Sequence, residues 1–241
     1  MTKPSFHILP TPEAVAQAVA GHIVETVQAR PQTTLGLATG KTFISIYQAL
    51  VARDRAEGVS FAGAASFNLD EYVGLPAGHP ALFRSYMQTH LFDHIDLPAE
   101  HAMLPGVEGD LEEACRAYEA AIVARGGIDL QMLGIGRNGH IGFNEPGSPF
   151  DNRTHVATLT PSTIEANTSD FPPGEVPPPK AVTMGIGTIL EAREIVMVVI
   201  GAAKAEALRQ AFDVAPSIDC PASALQAHPN VVVYCDEAAR P

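Results

Sequence analysis

The sequence predicts an α/β fold in which a mostly parallel sheet carries helices on both faces. Three observations lead there. Short apolar runs alternate along the chain with longer stretches of helical spacing. Three of these runs are followed by polar segments, starting at Thr39, Asp70 and Gly136, and sheets of this class bind ligands beyond the carboxyl ends of their strands. The 241 residues, 46% apolar and 17% charged, can bury one large core, and they contain no internal repeat. A single domain spanning residues 1–241 is expected.

The elements follow in order. Thr11-Pro12-Glu13 supplies an N-cap oxygen, a proline for the first turn and an acid near the positive helix end, so a helix runs to about Arg30. Thr33–Ala38 reads as a buried strand and Thr39-Gly40-Lys41-Thr42 as the turn after it. Phe43–Ala56 has helical spacing at Ile46, Leu50 and Val51. Ala64–Leu69 is a second strand, ending in Asp70-Glu71, and Pro80–Phe92 is a helix. Asp110 with Glu113 forms a capping box ahead of a helix to Arg125. Asp129–Gly134 is a third strand, and Val156–Leu159, Ala181–Met184, Glu194–Ile200 and Val231–Cys235 are further strands, with a helix over Ala202–Phe212. Phe171–Pro179, with five prolines, reads as a stiff connection or a lid.

Charge narrows the function. Fifteen basic against 27 acidic residues give a net charge of −12, which disfavours nucleic acid and anionic membrane but permits a small anion in a local pocket. The three cysteines, Cys115, Cys220 and Cys235, are odd in number and far apart. That spacing argues against a disulfide framework or a structural zinc site and for a reducing, cytoplasmic compartment. The longest apolar run, Ile195–Ile200, is far too short to span a membrane.

Two motifs mislead. Gly40-Lys41-Thr42 looks like the end of a nucleoside-triphosphate loop, but that pattern needs a glycine where Leu35 stands. A strand–turn–helix of this kind can still hold one phosphate on backbone N–H groups. Gly134, Gly136 and Gly139 have dinucleotide-loop spacing, yet the glycines and proline that follow make a loop, not the required helix.

Chemistry concentrates in two segments. GIGRNGHIGFNEPG, residues 134–147, places Asn138, His140 and Glu145 within eight residues after a strand. Histidine can take and return a proton near neutral pH, and a nearby carboxylate can orient it and raise its pKa. In SFNLDEYVGLP, residues 66–76, Asp70 and Glu71 directly follow a strand. Neighbours on extended chain point to opposite sides, so one of the two faces a substrate and the other braces a loop.

FNLDEYVGLP and GIGRNGHIGFNEPG, with Asn152-Arg153-Thr154, LATGKT at 37–42 and the terminal PASALQAHPNVVVYCDE, resemble the glucosamine-6-phosphate deaminase family over most of the chain. The resemblance implies a modified, Rossmann-like doubly wound sheet. It also implies an amino-sugar isomerase and deaminase of hydrolase type that turns glucosamine 6-phosphate and water into fructose 6-phosphate and ammonia. No metal or organic cofactor is implied. His140 matches the ring-opening histidine, Glu145 its supporting carboxylate, and Asp70 the base that moves a proton from C2 to C1. Asn138 falls where some members have Asp. Thr39, Gly40, Lys41 and Thr42 match the phosphate loop and Lys204 the phosphate lysine.

The family's second phosphate cation is an arginine in an Ala-Asn-x-Arg-Phe segment, and Ser169 occupies its position, beside Asp170. Galactosamine-6-phosphate deaminases can also lack that arginine, so the epimer stays open, and a non-enzymatic sugar-phosphate sensor is the alternative of another class. The chain lacks a C-terminal extension associated with hexamers and allosteric activation, and His155 replaces an effector-site arginine. A monomer or small homo-oligomer without such activation is the expectation.

Overall fold

The computed structural model describes residues 4–241. Seven parallel strands form the main sheet in the order β1 (Ser5–Leu9), β10 (Val231–Asp236), β9 (Glu194–Val199), β6 (Leu130–Leu133), β2 (Thr34–Leu37), β3 (Ala65–Asn68) and β5 (Ala102–Met103). The chain steps outward from β2 to β3 and β5, then returns to the other side of β2 with β6 and β9. The strand order therefore reverses beside β2, and the loops leaving β2, β3, β6 and β9 emerge together at the carboxyl edge, where such sheets bind ligands.

The helices bury the apolar stripes that the sequence predicts. Helix α1 (Pro12–Ala29) is capped by the Thr11 hydroxyl and turns Val15, Val19, Ile23 and Val27 into the core, beside α2 (Lys41–Glu57). Tyr118 of α4 (Leu111–Ala124) packs edge-on against Phe67 of β3 and donates to the Asn68 carbonyl. Asp110 caps α4 by accepting from the amides of Glu112 and Glu113. The Glu113 side chain turns to Arg116 instead, so only half of the predicted capping box forms.

The largest difference from the expected single sheet is a second one. Strands β4 (Asp70–Tyr72), β8 (Lys180–Thr183) and β7 (His155–Thr158) pair antiparallel, so the predicted strands near 156 and 181 do not join the parallel sheet. This small sheet packs on its own aromatic cluster of Tyr72, Phe143 and Phe171. Residue pattern marks a strand but not its partner, which depends on chain reversals too distant to read locally.

Other departures have local causes. Ser5 and His7 interrupt the apolar residues of β1, and β5 has two residues, so neither forms a continuous apolar run. Helix α3 (Phe83–His90) starts three residues late because Leu82 stays extended. Helices α5 (Pro161–Asn167) and α6 (Ile186–Leu190) are too short for periodicity. Helix α7 (Ala205–Phe212) follows a tight turn at Ala202–Lys204. Among the described residues no helix is long and apolar enough to cross a membrane. All three cysteines are buried and free.

Candidate active site

Each chemically informative segment leaves the carboxyl edge of the main sheet. Strand β3 runs past Leu69 directly into β4, which carries Asp70 into the small sheet, opposite Thr183. Asp70 is 6% exposed, and no hydrogen-bond donor among the described residues reaches its carboxylate. Burial, then the adjacent Glu71 charge, pushes its pKa up to about 8. A carboxyl group in that range can both take and return a proton near neutral pH.

Glu71 has the opposite environment. Its carboxylate accepts from the amides of Tyr72, Phe83 and Arg84 at 2.8–2.9 Å, tying β4 to the first turn of α3. Those bonds oppose the upward push of burial on its pKa without cancelling it. Of the two acids, Glu71 is the brace.

The loop after β6 folds around Asn138. The Asn138 carbonyl oxygen accepts from the His140 amide at 3.2 Å, and its amide nitrogen donates to Glu145 Oε2 at 2.9 Å. Glu145 Oε2 stands 3.8 Å from His140 Nδ1, an ion-pair distance longer than a hydrogen bond. The imidazole lies over Gly136, where a Cβ would fall 2.2 Å from the ring. Burial holds the His140 pKa below its ordinary value; Glu145 pulls it up and Lys204 pushes it down. The expected rise from the carboxylate is therefore outweighed, and His140 is held in the neutral form.

This loop reaches Asp70 through Gly142, whose φ of +56° and close packing suit glycine: a Cβ would sit 2.9 Å from Thr183 Oγ1 and 3.5 Å from Asp70 Oδ2. Asn144 locks the loop in place, donating to the carbonyls of Ile141 and Met184 and accepting from Asn152.

The groups expected to hold an anion lie at the ends of β2 and β9. Half-buried Thr39 leads to Gly40, the N-cap of α2, which no side chain caps, so Lys41 and Thr42 begin the helix with outward-facing amides. Lys204 Nζ donates to Thr42 Oγ1 at 3.4 Å, and burial, then Arg137, lowers its pKa. Arg137 belongs to the loop after β6 and is exposed. It places a second cation beside Lys204, which its position within GIGRNGHIGFNEPG alone does not reveal. The Lys41 ammonium takes a different direction, donating to Ser169 Oγ at 2.7 Å and pairing with Asp170 at 2.9 Å.

Sequence reasoning also passes over Thr160 and Thr163, whose hydroxyls both donate to Glu145 Oε1. The Thr160-Pro161 pair at the head of α5 repeats the Thr11-Pro12 signature and is the signal that marks this helix. Among the described residues no three His, Cys, Asp or Glu side chains gather as a metal-binding set. A surface depression of about 500 Å³ along α4 lies apart from this cluster, and its Arg116 and Arg153 are each paired with acids.

A buried carboxyl of raised pKa, a histidine–carboxylate pair and a helix start beside two lysines gather at one sheet edge, a set of groups capable of acid–base chemistry on a small anion. The chain belongs to the family of glucosamine-6-phosphate isomerases and 6-phosphogluconolactonases, whose profile matches residues 10–234. It is 51% identical to a glucosamine-6-phosphate deaminase of Shewanella loihica, over 96% of this chain and 87% of that one. Identity is also 51% to a glucosamine-6-phosphate deaminase of Shouchella clausii, over 94% and 92%. The solved structure of a monomeric glucosamine-6-phosphate deaminase superposes with a TM-score of 0.94, at 42% identity and 98% coverage of both chains. A 6-phosphogluconolactonase of Thermotoga maritima shares the fold, with a TM-score of 0.76, 16% identity and coverage of 98% of this chain and 100% of that one.

Proposed function

We propose that this protein converts glucosamine 6-phosphate and water to fructose 6-phosphate and ammonia, and that Asp70, His140 and Glu145 carry the proton transfers. The observation that carries the reading is the unpartnered, buried Asp70 carboxyl beside a loop that holds a neutral histidine against a carboxylate. His140 takes the O1 proton of the closed sugar and delivers it to the ring oxygen, opening the ring. Glu145 offsets the positive charge on the imidazole during that transfer, and Asn138 fixes the loop that joins them.

Ring opening makes the C2 hydrogen acidic, because the carbon beside it becomes an aldehyde. Asp70 removes that proton, giving an enolamine, and returns it to C1. The resulting C2 imine adds water and expels ammonia. One water is consumed, so the balance is hydrolytic although the core step is an aldose–ketose isomerisation. Each proton transfer of this kind contributes roughly 10²–10⁴-fold.

Lys204, Arg137 and the first-turn amides of α2 hold the phosphate, with Thr39, Gly40 and Thr42 shaping the loop. Lys41 joins them by exchanging Asp170 for the phosphate. That exposed pair is cheap to exchange, since surface ion pairs contribute about 0–1 kcal/mol. Three free, buried cysteines fit a cytoplasmic protein, and the likeness to a monomeric deaminase supports a monomer. The test is release of ammonium from glucosamine 6-phosphate, with galactosamine 6-phosphate in a parallel arm. Turnover of the first substrate over the second supports the reading; binding without turnover of either favours a sugar-phosphate sensor.

A further inference from the structure

We propose that Thr163 is a positioning residue for the proton relay, holding Glu145 so that its second oxygen faces His140; the proposal rests on the acid–base reading of that pair. The two oxygens of Glu145 are divided between two parts of the chain. Oε2 belongs to the loop after β6, where it accepts from Asn138 at 2.9 Å and faces His140 Nδ1 at 3.8 Å. Oε1 belongs to α5, where it accepts from the Thr163 hydroxyl and, at 3.3 Å, from the Thr160 hydroxyl. Thr163 is 4% exposed, so this donor sits away from solvent.

The division fixes the carboxylate plane. A glutamate has three side-chain torsions, and one bond from Asn138 leaves it free to swing about Oε2. Bonds to both oxygens from opposite sides remove that freedom. Helix α5 is itself held at its far end, where Asn167 donates to the Tyr72 hydroxyl at 3.0 Å and the following turn takes Lys41 through Ser169 and Asp170. The Thr163 hydroxyl is thus delivered to Glu145 by an element that the small sheet and the start of α2 both anchor.

Glu145 and His140 interact electrostatically, so any change in the carboxylate's placement appears in the imidazole. With Thr163→Val, which keeps the shape and removes the donor, Glu145 turns toward the remaining donors, and the nearest charged one is protonated His140. The His140 pKa, read by NMR titration of the imidazole in the ligand-free protein, is expected to rise by half a unit or more. On the closed-ring substrate kcat is expected to fall about tenfold with KM within twofold. Thr163→Ser, which restores the hydroxyl, is expected to match the wild type in both readouts. An unchanged imidazole titration in a folded Thr163→Val protein overturns the proposal, as does a serine variant as impaired as the valine one. The titration needs no turnover, so a wild-type protein inactive on glucosamine 6-phosphate refutes the functional reading alone and leaves this coupling to be judged by the titration.

Discussion

Asp70 and Glu71 are neighbours on β4 with opposite surroundings: three backbone amides fill the Glu71 carboxylate, and no donor among the described residues reaches that of Asp70. Alternation along extended chain produces the split, turning one acid to the α3 helix start and the other toward the loop at Gly142. The unsatisfied acid carries a cost in stability and gains a proton affinity near neutral pH.

That cost is measurable. The Asp70 pKa is about 8 in the folded protein against 3.8 for an ordinary aspartate. Unfolding therefore releases a proton between these values, and stability is lost as pH rises from about 4 to about 8. Asp70→Asn removes the titrating group. Its Tm is expected to exceed that of the wild type by about 5 °C or more at pH 8 and to match it near pH 4, as melting curves at the two pH values will read. A variant less stable than wild type at pH 8 contradicts the buried-carboxyl account.

The same group is expected to set the pH dependence of the reaction. The base form of Asp70 fills as pH passes about 8, while His140 is already neutral there. The value of kcat/KM, which reports the free enzyme, is expected to climb through pH 7–8. A profile flat from pH 5 upward means that a carboxylate of ordinary pKa limits the rate.

His140 is expected to matter most for a closed ring. His140→Gln is expected to slow the pyranose at least tenfold more than an open-chain analogue, because only the pyranose needs proton transfer between O1 and the ring oxygen. Equal losses on both substrates assign His140 a structural part.

Phosphate capture is expected to divide among the cations. Lys204→Ala and Lys41→Ala are each expected to raise KM about tenfold, equivalent to about 1.4 kcal/mol, with smaller changes in kcat. Asp170→Asn frees the Lys41 ammonium from its partner and is expected to lower KM about twofold to threefold. Steady-state kinetics on the three variants reads both directions; a higher KM for Asp170→Asn shows that Lys41 needs Asp170 to hold it in place.

The sequence makes the parallel sheet legible because strands β9 and β10 are near-continuous apolar runs, β2, β3 and β6 are short buried segments set between polar turns, and the helices between them repeat at helical spacing. Asn138, His140 and Glu145 are legible as a group because they share one loop, where sequence distance is spatial distance. Arg137, Thr160 and Thr163 are not, since what gives them meaning is a neighbour far along the chain or in another element. The second sheet is hidden for the same reason: β4 pairs with β8 across about 110 residues of chain, and no local pattern encodes that partnership.

The central claim is that Asp70 moves the C2 proton. It is tested most directly by following ammonium and fructose 6-phosphate from glucosamine 6-phosphate with the wild-type protein and with Asp70→Asn, alongside binding of the same sugar phosphate to both. Equal amounts of the two products are expected from the wild type. The variant is expected to form neither at a detectable rate while binding within about threefold of wild type, because an amide cannot accept the proton. Retention of more than about a tenth of the wild-type kcat by Asp70→Asn would contradict the assignment.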